Sequence, residues 1–139
     1  MKKILFVDDE KHILKALRRL FFNSEYNCFY VTSGSDALNI LKEYDIDLLV
    51  TDIRMPKMDG FELLKIVKNK YPDITRVALS GYSDNDAIIK ALETNLVKLY
   101  LYKPWENEEL REVIKKSFAL SEILNSEELF RFINNIENI

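Results

Sequence analysis

Asp47-Leu48-Leu49-Val50-Thr51 is a short run whose apolar residues follow one another without a break. Side chains in a strand leave on alternate faces, so this segment is apolar on both. Ile4-Leu5-Phe6-Val7 has the same character. Strands of this kind belong inside a parallel sheet that helices cover on both sides. Three further runs, Cys28–Val31, Thr75–Leu79 and Leu99–Tyr102, have strand length and are rich in β-branched or aromatic residues. The segments between them have helical spacing. Ile13, Leu14, Leu17, Leu20 and Phe21 line one face of the first, and Ala37, Leu38 and Leu41 one face of the second. Phe61, Leu63, Leu64, Ile66 and Val67 mark a third, and Ala87, Ile88, Ala91 and Leu92 a fourth. Leu110, Val113, Ile114 and Phe118 begin a fifth. Strand and helix thus alternate five times, which predicts an α/β, doubly wound, five-stranded parallel sheet. Right-handed crossovers place its functional crevice at the carboxyl ends of the strands.

Bulk properties narrow the function classes. A chain of 139 residues is one domain by length, and 47% hydrophobic with 31% charged residues is an ordinary globular composition. The formal net charge of -3 and the lack of a basic run argue against direct nucleic-acid binding. The single cysteine, Cys28, excludes an internal disulfide and, in an apolar segment, reads as a small hydrophobe. No apolar stretch is long enough to span a membrane, and the one after Met1-Lys2-Lys3 is too short for a signal peptide. A cytoplasmic location is the expectation.

The polar residues at the strand ends carry the chemistry. Asp8 and Asp9 follow the first strand, Asp52 the third, Ser80 the fourth and Lys103 the fifth. A doubly wound sheet brings these ends together, and three gathered carboxylates repel unless a cation joins them. Oxygen donors without a nearby histidine or thiolate suit Mg²⁺ rather than zinc. Lys103 as a point charge and Ser80 as a donor then suit a transferred phosphoryl group.

Val7-Asp8-Asp9-Glu10, Thr51-Asp52-Ile53-Arg54-Met55-Pro56-Lys57-Met58-Asp59-Gly60, Leu79-Ser80-Gly81 and Tyr102-Lys103-Pro104 resemble, in order, the motifs of response-regulator receiver domains. The resemblance covers roughly residues 1–120 and implies a flavodoxin-like (βα)5 fold. It implies that Asp52 is the phosphoacceptor in two-component signalling, that Asp9 and Asp52 bind Mg²⁺, that Asp8 acts largely through water, and that the Arg54 backbone carbonyl completes the shell. Lys103 would pair first with Asp52 and then with the phosphoryl oxygens. Ser80 would move toward that group and Tyr100 would turn inward as the switch. Gly81 would leave the group room, and the Lys103–Pro104 bond would be cis. The expected partners are a histidine kinase or phosphotransfer protein and a downstream protein or output domain. Any catalysis would be confined to the chain's own aspartyl phosphorylation and dephosphorylation.

Other functions fit these residues less well. Asp8 and Asp9 both help cap the first helix in the simplest view, yet two adjacent acids exceed what a cap requires. Asp59-Gly60 reads as a turn. His12 reads as solvent-facing, and Arg54 and Tyr82 as bulk that screens the acyl phosphate. A haloacid-dehalogenase-like phosphatase needs an aspartate two residues after its nucleophile; Asp8-Asp9-Glu10 offers none there, and no cap domain is visible. A receiver-fold module that is never phosphorylated does not require the full acidic set with Ser80 and Lys103. Trp105 after Pro104 is similar to receivers joined to cyclic-dinucleotide phosphodiesterases and other enzymatic outputs.

The receiver is expected over residues 1–124, with a helical extension over 125–139. Asn125-Ser126-Glu127-Glu128 carries a helix-start signal at Ser126, so a sixth helix or a bent continuation of the fifth is expected. The stripe Leu129, Phe132, Ile133 and Ile136 favours a homodimer through the fifth helix and tail over folding back on the same chain.

Overall fold

The computed structural model describes residues 1–137, with side chains described for residues 1–122 apart from Tyr82. Five strands, β1 (Lys3–Val7), β2 (Asn27–Val31), β3 (Leu48–Asp52), β4 (Thr75–Ser80) and β5 (Leu99–Tyr102), form one sheet in the order β2-β1-β3-β4-β5, every pair parallel. Helices α1 (Lys11–Leu20), α2 (Gly34–Glu43), α3 (Gly60–Lys70), α4 (Asn85–Glu93) and α5 (Asn107–Glu137) follow the strands in turn. The doubly wound expectation holds, and β3 begins and ends one residue later than its apolar run suggested.

Strand alternation divides the core into two layers. Leu5, Val7 and Leu49 pack with Leu63, Leu64, Val67, Ile88 and Ala91 on the side of α2, α3 and α4. Ile4, Phe6, Leu48 and Val50 pack with Leu14, Leu17, Leu110 and Ile114 on the side of α1 and α5. All residues of β3 are buried, as the two-sided apolar reading requires. Each such aliphatic side chain contributes about 1.5–3 kcal/mol by leaving water.

One local expectation needs correction, and one alternative is decided. Asp59-Gly60 is not the turn after β3. The carboxylate of Asp59 caps α3 by accepting from the Glu62 N–H at 2.9 Å, and Gly60 opens that helix. The left-handed residue of the loop is Lys57, at φ 65. At Ser126 the separate sixth helix is not found and the other reading, continuation of the fifth helix, is, since α5 runs through it as one element to Glu137. The extra C-terminal helix is therefore the distal part of α5. The side chains of Leu129, Phe132, Ile133 and Ile136 lie outside those described.

No helix among the described residues is long and apolar enough to cross a membrane. His12 is exposed and 3.3 Å from Glu10, as a solvent-facing residue would be. Cys28 is half-buried, and burial pushes its thiol above the usual range.

Candidate functional site

Parallel register brings the chemistry together. Val7 pairs with Thr51, Asp52 with Leu79, and Ser80 with Tyr102, so the strands end nearly level. Backbone bonds then extend the ladders past the strand ends: Asp8 N–H to Val31 O at 3.2 Å, Ile53 N–H to Leu79 O at 3.1 Å, and Lys103 N–H to Ser80 O at 2.8 Å. The Lys103–Pro104 bond is cis, as expected.

Lys103 Nζ lies 2.7 Å from Asp8 Oδ2, 3.3 Å from Asp52 Oδ2 and 3.6 Å from Glu10 Oε1. Asp8 and Asp52 are buried, and Asp9 is half-buried beside them. Carboxylate oxygens of Asp8, Asp9, Glu10 and Asp52 all lie within 4.8 Å of one another. Asp8 Oδ1 accepts from the Glu10 N–H at 2.9 Å, so Asp8 braces the entry to α1 without capping the helix proper. Its Oδ2 is fully buried and, although close to Lys103, receives no well-aligned hydrogen bond. One ammonium thus faces several carboxylates.

The electrostatics follow from that imbalance. Burial, helped by the Asp8 charge, raises Asp52 to about 6 although Lys103 and the Arg54 backbone N–H oppose it. Burial also raises Asp8, against the pull of Lys103. For Lys103, burial lowers the pKa, but Asp8, Asp52 and Glu10 together reverse this and leave it raised. An all-oxygen cluster with an under-satisfied buried acceptor fits a hard divalent cation.

Ser80 is buried at the end of β4, and its hydroxyl donates to the Gly81 carbonyl at 3.1 Å. Tyr100 is not gathered into the crevice. It is 38% exposed, edge-on to Tyr102 with centroids 5.2 Å apart. Trp105 is half-buried against the α1/α5 layer. Sequence reasoning assigned no role to Glu10, although its place directly after Asp8-Asp9 was the available signal. It also missed Asp84, whose carboxylate pairs with Arg54 across 30 positions of sequence.

The response regulator receiver domain family matches residues 4–115 of the chain. The chain belongs to the response-regulator receiver family. Sporulation initiation phosphotransferase F of Bacillus subtilis (strain 168) is 32% identical over 119 residues, covering 86% of this chain and 95% of that protein. The hydrogenase transcriptional regulatory protein HoxA of Cupriavidus necator is 32% identical over 114 residues, 82% of this chain but 23% of that protein. The chain therefore spans about a quarter of the length of several curated relatives that it matches. A response regulator receiver domain protein from Clostridium thermocellum superposes with a TM-score of 0.81 at 29% identity, covering 89% of this chain and 99% of that one. The signal receiver domain of an HD domain-containing protein from Pseudomonas fluorescens Pf-5 gives 0.82 at 30% identity, with 87% and 97% covered. A receiver of this family is a signalling switch in two-component phosphorelay signalling.

Proposed function

We propose that the switch is thrown by transfer of a phosphoryl group to Asp52 from a histidine kinase or phosphotransfer protein. The observation that carries this reading is the placement of one buried ammonium, Lys103, against the Asp52 and Asp8 carboxylates at the strand ends. A carboxylate oxygen of Asp52 attacks phosphorus, the donor's bond to phosphorus breaks with its electron pair, and an acyl phosphate results. Lys103 then neutralises phosphoryl charge, while Ser80 exchanges its Gly81 carbonyl for a phosphoryl oxygen. Tyr100, exposed on β5, is the aromatic proposed to turn inward when Ser80 moves. The chain's chemistry is confined to making and losing this bond. The product is a new surface for a downstream protein or output domain, in the cytoplasm. Incubation with a small acyl phosphate and Mg²⁺ is expected to add one phosphoryl group by intact mass and none to Asp52→Asn. Equal labelling of the two proteins would overturn the assignment.

Asp9 and Asp52, with the Arg54 carbonyl and Asp8 through water, are proposed to hold Mg²⁺. Bound there, the ion offsets the charge of the carboxylates and of the incoming phosphoryl group. Titration of Mg²⁺ against Trp105 fluorescence is expected to saturate in the wild type and not in Asp9→Ala. An unchanged curve in the variant would remove Asp9 from the site.

Pairing of two chains through α5 and its distal extension completes the reading. Its support is the apolar stripe in the tail sequence, because an apolar helix face needs a surface to pack on. Light scattering over a concentration series is expected to show dimers for the whole chain and monomers for a chain ending at Ser121. Monomers in both cases would end that part of the proposal.

A further inference from the structure

The rim of the crevice carries an ion pair that the chemistry above does not use. Arg54 Nε donates to Asp84 Oδ1 at 2.6 Å, tying the loop after β3 to the 3-10 turn at Tyr82–Asp84 that follows β4. The two groups lie on segments that follow the neighbouring strands β3 and β4. Arg54 is two residues past Asp52, and its backbone N–H already bonds the Asp52 carboxylate. Asp84 Oδ2 lies 3.9 Å from where a Cβ on Gly81 would be, directly after Ser80. The Asp84 N–H donates to the Gly81 carbonyl at 3.0 Å, so the carboxylate is anchored to the segment that carries Ser80.

We propose that Asp84 is a positioning residue that occupies the Arg54 guanidinium, so that this ion pair and a phosphoryl group on Asp52 compete for the same cation. The inference rests on Asp52 being the acceptor and adds a control on that site. A phosphoryl group brings up to about two negative charges and three strong acceptor oxygens. A guanidinium presents a planar fork of donors that matches such an anion. The guanidinium end of the pair is open to exchange, since the Arg54 side chain is 72% exposed and solvent screens it there. Asp84 itself is 13% exposed, so Asp84→Asn removes the charge that holds the guanidinium with little change in shape. Releasing Arg54 to the phosphoryl group would also free the turn that joins β4 to α4. The charge state of Asp52 would thereby reach a segment about 30 residues along the chain.

The test uses the full chain with Mg²⁺ and beryllofluoride, a tetrahedral phosphoryl mimic, and reads bound fluoride by fluorine NMR. Asp84→Asn is expected to bind the mimic about two- to fivefold more tightly than the wild type, the range that an exposed ion pair allows. That gain should vanish when Arg54→Ala is added and shrink at high salt, where exposed charges are screened. Asp84→Glu should keep wild-type affinity. Equal or weaker binding by Asp84→Asn would overturn the inference, and so would a gain of the same size without Arg54. A signal that is lost in Asp52→Asn but insensitive to Asp84 refutes the competition alone. No bound signal in the wild type refutes the phosphoacceptor reading and the competition with it.

Discussion

Stripped of divalent metal, Asp52→Asn is expected to melt above the wild type at pH 7.5, by roughly 3–10 °C for a domain of this size. The wild-type Asp52 side chain is buried at 6% exposure, and its pKa is raised to about 6, first by burial and then by Asp8. An unfolded aspartate titrates near 3.9. Between these values the folded chain binds more protons than the unfolded one, so stability falls as pH rises. Its contribution is fully present below about pH 4 and lost as pH climbs through about 6. At pH 7.5 the folded protein therefore bears a carboxylate penalty of up to about 3 kcal/mol. Asparagine removes that penalty, which is already net of the attraction to Lys103, but leaves a buried amide to be hydrogen-bonded in its place, so a net gain of about 1–3 kcal/mol is expected. Thermal melts in chelator at pH 4.5, 6 and 7.5 should show the difference opening with pH. Adding Mg²⁺ should then raise the wild type and leave the variant little changed, because only a folded site with its ligands gains from binding. A variant less stable than the wild type at pH 7.5 would mean that Lys103 outweighs burial at Asp52.

The sheet was legible because two-sided burial leaves a mark in composition: β1 and β3 have no polar face to show, and their ends are where acids begin. The crevice was legible for a related reason. In a level parallel sheet, residues far apart in sequence but just past a strand end become neighbours, so Asp8, Asp52, Ser80 and Lys103 could be grouped before any distance was known. Residues placed by loop conformation were not legible. Lys57 takes φ 65 although a lysine side chain gives no reason to expect the left-handed region, and the nearby Asp59-Gly60 drew the turn to itself. Arg54 and Asp84 meet only because two loops lean together, which no periodicity records. The cap signal at Ser126 failed for the opposite reason. A serine followed by two acids is compatible with a helix interior, and α5 passes through it.

Gly60→Ala should be among the most damaging single-methyl changes in the chain. A Cβ at this position would stand 2.1 Å from the Asp52 carbonyl oxygen, 2.7 Å from Ile53 Cα and 2.9 Å from the Asp52 carbonyl carbon. All three are backbone atoms, so no side chain can rotate away. The approach is tight because the Gly60 N–H donates to the Ile53 carbonyl at 2.8 Å, clasping the start of α3 to the end of β3. Gly60 is thus needed for space, not for a left-handed backbone, since no glycine here has positive φ. Overpacking a core costs about 1–3 kcal/mol, and a clash with rigid backbone belongs at the top of that range. Gly81→Ala is the control. Its added Cβ would meet nothing nearer than Ser83 Oγ at 3.8 Å, and the φ of -75 suits alanine. That change should be neutral or stabilise by about 0.4–1 kcal/mol through the unfolded chain. Urea unfolding of the two variants beside the wild type should show a large fall in midpoint for Gly60→Ala alone. The movement forced by that methyl acts on the carbonyl of Asp52 itself, so phosphoryl labelling of whatever remains folded should fall as well. Equal midpoints for the two variants would show that the clasp between β3 and α3 yields more readily than close backbone packing permits.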